Sequence, residues 1–278
     1  MALRYRSGHT ESSLISWTDV PPYARNSYVL HGYRPVGVRV RTSGFFSWHN
    51  ESTNIWTHLV AFFWQLARIS VTLRAEAPSA DSQACLLLFQ CSAACCFAVS
   101  AAAHAFGPVV TASQSAILWQ WDLRGISTLI GCSFVPGLRW AFRCHPDSQS
   151  AYSIAVFALT ISLLASSGGK PGTRRNEIFV GLACAACLLG LVALFHWTTF
   201  ASTADRVQLV PPVLTMFAAY FVGFAFWKIS PLERAWPGGP FDFCGSHTVW
   251  HILVIVAVYH WDHACSELLN RSWDAHDC

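Results

Sequence analysis

A chain of 278 residues with 18 Lys and Arg, 15 Asp and Glu and a formal charge of +3 has charged side chains at only 12% of positions, about half the roughly 25% usual for soluble domains. Hydrophobic residues make up 53% and gather in runs of about 20, the length that crosses a hydrocarbon core of roughly 30 Å. Disorder, a collagen-like fibre, a small disulfide-stapled domain and a nucleic-acid binder are excluded, which leaves a single membrane domain.

Residues 1–44 carry Arg4, Arg6, Arg25, Arg34, Arg39 and Arg41 and no stretch resembling the apolar core of a signal peptide. Insertion therefore falls to the first apolar run, IWTHLVAFFWQLARISVTL, from Ile55 to Leu73. Its Arg68 lies past the middle and is expected to snorkel to the far interface. Six further runs follow, at about 84–106, 115–135, 151–167, 178–197, 207–227 and 246–264. They are continuously apolar, unlike the alternating strands of about 10 residues in a membrane β-barrel. The expected fold class is all-α: a polytopic membrane protein built as a seven-transmembrane helix bundle, with residues 45–265 as the membrane domain and 266–278 as a short outer tail. Pro211 and Pro212 are expected to bend the sixth helix near its start.

Orientation follows from the basic residues, which are retained on the cytosolic side. With the N-terminus inside, the inner flanks hold eleven Lys and Arg and the outer flanks five. The N-terminus is thus read as cytosolic and the C-terminus as luminal or extracellular, which puts the Asn270 sequon on the outer side. The cysteines, including Cys91, Cys95, Cys96 and Cys132, fall mostly within the spans and read as small core residues. Cys184 and Cys187 form a C-x-x-C with no second pair at metal-site spacing.

Ionisable groups inside spans are costly and mark functional candidates. Here they are His58, His104, Asp122, Arg124, His247 and His251. The predicted topology brings His104, Asp122, His247 and His251 to the cytosolic leaflet. His247 and His251 are four residues apart in SHTVWHILV, so both imidazoles share one helix face. A third ligand from His104 would leave one tetrahedral position open, the pattern of a catalytic rather than a structural zinc site. Ser100 shares a face with His104, and Asp122, read as the only carboxylate buried nearby, is the candidate proton shuttle. A proton relay and a structural polar cluster remain open beside the metal reading. A second group, His260 and His263 with His196, lies at the outer interface, where polar side chains cost little. Arg124 lies about 200° around the helix from Asp122 and is expected to reach the cytosolic interface.

Four motifs occur together in order: HNESTNIWTHLVAFF (49–63), SAAAH (100–104), WDLRGISTLIGCSFVPG (121–137) and SHTVWHILV (246–254). On these the chain resembles the progestin and adipoQ receptor family, the adiponectin-receptor-like seven-helix proteins related to hemolysin III, over about residues 28–264. The resemblance implies a cytosolic N-terminus and zinc near the inner leaflet held by His104, His247 and His251, with Asp122 and Ser100 as the polar residues beside it. It also implies chemistry similar to that of ceramidases, the zinc-assisted hydrolysis of a ceramide-like lipid amide. Arg124 and the link GPVVTASQ depart from the family pattern. GYRP (32–35) and the short tail look more like the branch of Golgi-resident anchors than the adiponectin-binding branch, so Golgi or plasma membrane is the expected location and adiponectin is not an expected ligand. The alternative to a receptor-like hydrolase is a non-enzymatic anchor with structural zinc, whose basic N-terminal segment recruits a cytosolic signalling protein. A proton-coupled transporter ranks last, because no hydropathy symmetry points to one.

Overall fold

The computed structural model describes residues 14–37, 46–76, 79–168 and 173–269. Among them are seven long helices: α1 (Ser52–Arg74), α2 (Ala80–Phe106), α3 (Ala112–Ala141), α4 (Pro146–Ser166), α5 (Arg174–Thr198), α6 (Thr203–Ile229) and α7 (Ser246–Leu269). Each contains its predicted apolar run almost entire and extends it at one or both ends, because polar caps rather than hydropathy set the boundaries. Ser79 accepts from the Ser82 N–H, Thr173 from the Asn176 N–H and Ser202 from the Asp205 N–H, while Thr111 and Gln114 close a reciprocal capping box at the start of α3. Pro211 and Pro212 both lie inside α6.

Four stretches are long and apolar enough to cross a membrane: α2, α4, α5 and the segment from Thr203 to Ala235 that includes α6. The other three helices, α1, α3 and α7, carry polar and ionisable side chains along their length, among them His58, Arg68, Asp122, Arg124, His247 and Asp262, which lower their mean hydropathy without shortening them. Helices α4 and α5 turn most of their surface outward, with Ile154, Phe157, Leu188 and Phe195 exposed. Helix α2 is the central element, packed against α1 and α3, while α7 packs against α6, α1 and α2. A Cβ at Gly125 of α3 would sit 2.7 Å from Val99 Cγ2 and 3.1 Å from Cys96 Cα of α2. The close α2–α3 approach, which sets Asp122 beside Ser100, therefore requires glycine there.

One expectation about a single residue changes. Arg68 does not snorkel outward. Its Nε donates to Asp262 Oδ2 at 2.5 Å and its other guanidinium nitrogen to Ser266, while Gln90 donates to Asp262 Oδ1 at 2.8 Å. Asp262 is fully buried, and a carboxylate in that position is tolerable only with charged and hydrogen-bonding partners. The Arg124 guanidinium lies 5.0 Å over the exposed Trp121 ring.

The N-terminal segment is the larger surprise. Residues 14–37 fold back onto the end of the bundle that holds the histidines. Ile15 and Tyr33 pair as an antiparallel bridge, and Ile15, Val20, Val29 and Tyr33 form a small apolar cluster. Gly32 makes the reversal at φ +83°, where a Cβ would meet Phe243 at 2.9 Å, while its carbonyl accepts from the Asn50 N–H. Arg4, Arg6, Arg39, Arg41 and the Asn270 sequon lie outside the described residues. Of the remaining basic side chains, Arg25 stacks on Trp17 within the segment, while Arg34 is buried and reaches out of it to the His104 carbonyl.

Candidate metal centre

Three elements deliver the candidate ligands. The small residues of SAAAH let the last turn of α2 approach its neighbours closely, bringing His104 in from one side. Helix α7 presents His247 and His251 one turn apart. Its start is fixed by Glu233, a buried residue of the short helix Pro231–Ala235, whose carboxylate accepts from the Ser246 N–H at 2.7 Å and from the Ser246 hydroxyl at 2.5 Å. An acidic group at a helix N-terminus both pairs the free N–H groups and complements the helix dipole. Glu233→Ala is expected to lower stability by about 1–3 kcal/mol, since a charged hydrogen bond to a buried group is lost, with the loss read from the denaturation midpoint of the purified protein.

The three Nε2 atoms converge. His247 Nε2 lies 3.2 Å from His104 Nε2 and 3.2 Å from His251 Nε2, and all three ligand atoms fall within 4.8 Å of one another. Zinc–imidazole bonds of about 2.0–2.1 Å put two tetrahedral ligands about 3.3–3.4 Å apart, close to the two 3.2 Å separations from His247. The opposite ring nitrogens decide the tautomers. His104 Nδ1 faces the Glu51 carboxylate at 2.8 Å, and His251 Nδ1 faces the Asn54 carbonyl at 3.2 Å. The Thr57 hydroxyl, 3.3 Å from His251 Nδ1, donates to the Thr53 carbonyl at 2.8 Å, so both Nδ1 atoms are assigned the hydrogen and both Nε2 atoms are left as lone pairs aimed at His247. A single hydrogen on His247 Nε2 meets only one of them, whereas a metal ion meets all three. Among the described residues this is the only such group of three His, Cys, Asp or Glu. His260, His263 and His196 do not form one, and His196 pairs with the Tyr152 hydroxyl at 3.1 Å.

Asp122 is half-buried, within hydrogen-bonding reach of Ser100 and close enough to His104 to feel its charge. It is not the only buried carboxylate at this end, as the sequence suggested. Glu51, just before α1, is 3% exposed and accepts from His104 Nδ1, from Asn54 Nδ2 at 2.8 Å and from Asn26 Nδ2 at 3.2 Å. Burial alone would raise its pKa, but the hydrogen bond and charge of His104, with the Asn54 amide, outweigh it and hold the carboxyl at about 2. His58, included among the early candidates, stacks on the His251 ring with centroids 3.7 Å apart. It is a wall of the site rather than a fourth member of the converging group.

His49 caps the entry to α1, its Nδ1 accepting the Glu51 N–H at 3.1 Å. Burial, then the Arg34 charge, pushes its pKa down to about 4 from 6.5. As the pH falls below 6.5 the unfolded chain takes up this proton and the folded chain does not, so the stability from neutral His49 is complete above 6.5 and is lost on the way to 4. Glu51, depressed from 4.5 to about 2, gives up its share only below 4.5. The melting temperature is expected to fall between about pH 7 and 5, and His49→Asn, which keeps an acceptor but no titrating ring, to flatten that fall.

The haemolysin-III related family matches residues 46–261. The rice heptahelical transmembrane protein ADIPOR2 is 35% identical over 192 residues, covering 66% of this chain and 81% of that protein. Progestin and adipoQ receptor family member 3 of Mus musculus is 27% identical over 267 residues, covering 89% and 83%. An uncharacterized protein of Schizosaccharomyces pombe is 28% identical over 260 residues, which cover 88% of this chain but 57% of the relative's length.

Proposed function

The chain belongs to the haemolysin-III related family, which includes the progestin and adipoQ receptors, and on that premise we propose that it is a seven-span, receptor-like zinc protein that hydrolyses a ceramide-like lipid amide at the cytosolic leaflet. The convergence of three Nε2 atoms with two tautomers fixed from outside carries this reading. His104, His247 and His251 would hold the ion, and three uncharged imidazole nitrogens suit zinc. When bound, zinc supplies Lewis-acid polarisation of a carbonyl and acidifies water to near neutrality. Glu51 and the Asn54 carbonyl hold the imidazoles in orientation. The Asp122 carboxylate, within hydrogen-bonding reach of Ser100, would accept a proton on one oxygen and return it to the leaving amine. The excess of basic residues on the inner flanks supports an N-terminus in the cytosol, and the apolar faces of α4 and α5 give an amphiphilic substrate a lipid environment from which to enter.

The test is release of sphingoid base from ceramide by purified, zinc-loaded protein in lipid. Turnover is expected in the wild type, with a loss of about 100-fold or more in Asp122→Asn at unchanged zinc content. Zinc-loaded wild type that releases no base would instead favour the second reading, a Golgi or plasma-membrane anchor with structural zinc and a cytosolic signalling partner.

A further inference from the structure

Residues 14–37 do more than cover the end of the bundle. Two of their side chains reach the ligand shell. Asn26 Nδ2 donates to Glu51 Oε1, on the same carboxylate whose Oε2 accepts from His104 Nδ1. Arg34, 8% exposed, donates to the backbone carbonyl of His104 at 3.0 Å. The ring and the main chain of one candidate ligand are thus both held from this segment.

The segment is itself fixed at several points. The Asn26 N–H donates to the Tyr33 hydroxyl at 3.1 Å, and that hydroxyl donates to the Val29 carbonyl at 2.9 Å. Asp242, 2% exposed, accepts the Leu30 and His31 N–H groups at 3.0 and 2.8 Å, tying the segment to the loop that leads into α7. Tyr23 donates to the Val110 carbonyl at 2.7 Å and the Gly37 N–H to the Val109 carbonyl at 2.9 Å, tying it to the turn after His104. These contacts reach the turn that follows α2 and the loop that leads into α7, and none reaches α4, α5 or α6.

We infer that residues 14–37 are a positioning strap for the metal centre, with Asn26 and Arg34 as positioning residues that act on His104 through Glu51 and through the His104 carbonyl. The inference rests on the three-histidine zinc reading. A carboxylate that orients a ligating imidazole raises the ligand's basicity, and its loss costs about 10–100-fold in metal affinity. Asn26 in turn fixes the carboxylate, so docking of the strap sets how tightly the centre holds its ion.

The experiment is zinc competition against a chelator, paired with the visible spectrum of the cobalt-substituted protein, for full-length wild type, Asn26→Ala, Arg34→Met, Ile15→Ala and Glu51→Ala. Asn26 is exposed, so Asn26→Ala is a variant that folds whatever becomes of Glu51→Ala. Zinc affinity is expected to fall about 10-fold in Asn26→Ala and toward 100-fold in Glu51→Ala, with a shifted cobalt spectrum in both. Ile15→Ala, which opens the apolar cluster of the strap and touches no ligand, is expected to weaken zinc as well. Wild-type zinc affinity and an unchanged cobalt spectrum in Asn26→Ala, Arg34→Met and Ile15→Ala, whatever their melting temperatures, would overturn the strap while leaving the three-histidine centre intact. A wild type that takes up no zinc overturns both.

Discussion

His251→Ala is expected to lower zinc affinity by more than about 100-fold, beyond the 10–100-fold that follows loss of a group that merely orients a ligand. The two remaining imidazoles, His104 and His247, cannot complete a tetrahedral set. His251 also supplies the face on which His58 stacks, so its removal loosens α1 against α7 as well. Equilibrium dialysis at fixed free zinc gives the affinity. Asp122→Asn serves as the control, because Asp122 is no ligand and the variant is expected to bind zinc like the wild type. Equal affinity in His251→Ala and the wild type would place the ion elsewhere.

The second large effect lies at the other end of the bundle. Asp262→Ala leaves Arg68 facing a buried site without its counter-charge and strips Gln90 of its acceptor. Breaking a buried pair by removing one partner costs about 3–5 kcal/mol, and the lower end applies because the Arg68 side chain is 21% exposed. Replacing both partners, Arg68→Met with Asp262→Leu, is expected to restore most of the loss, since an apolar pair of similar size carries no desolvation cost. Unfolding in mixed micelles, followed by helical signal, compares the single and double variants. Equal stability of Asp262→Ala and the wild type would make the pair incidental.

What could be read from residues alone divides along physical lines. The helices were legible because about 20 apolar residues in succession have few alternatives to a membrane helix, and the capped ends added only a turn or so to each. His247 and His251 were legible because the four-residue spacing is a local property of one helix. His104 needed the topology, which the distribution of arginines supplied. Glu51 was not legible: it stands outside the first apolar run, in a position where a carboxylate is ordinarily solvated. Only the fold-back of residues 14–37 and the arrival of α2 bury it against His104. Arg68 was misread for a related reason. Snorkelling is the default for a lone arginine near a helix end, and its partner Asp262 is 194 residues away, with nothing local to announce it.

Polar content also separates most of the stretches that hydropathy selects from the other long helices. Helices α1, α3 and α7 each contribute polar groups to one or both of two buried nodes, the histidine centre at one end and the Arg68–Asp262 pair at the other. Helices α4, α5 and α6 contribute little to either and keep the composition that lipid demands. Helix α2 is the exception: it brings His104 to one node and Gln90 to the other, yet stays apolar because Ala, Cys, Leu and Phe fill most of its length.

X-ray absorption at the zinc edge of the purified full-length protein tests the central claim most directly. The account predicts one zinc per chain with imidazole nitrogens at about 2.0–2.1 Å and no sulfur shell. Sulfur scattering near 2.3 Å, which would point to cysteines such as Cys184 and Cys187, or the absence of bound zinc, would contradict it.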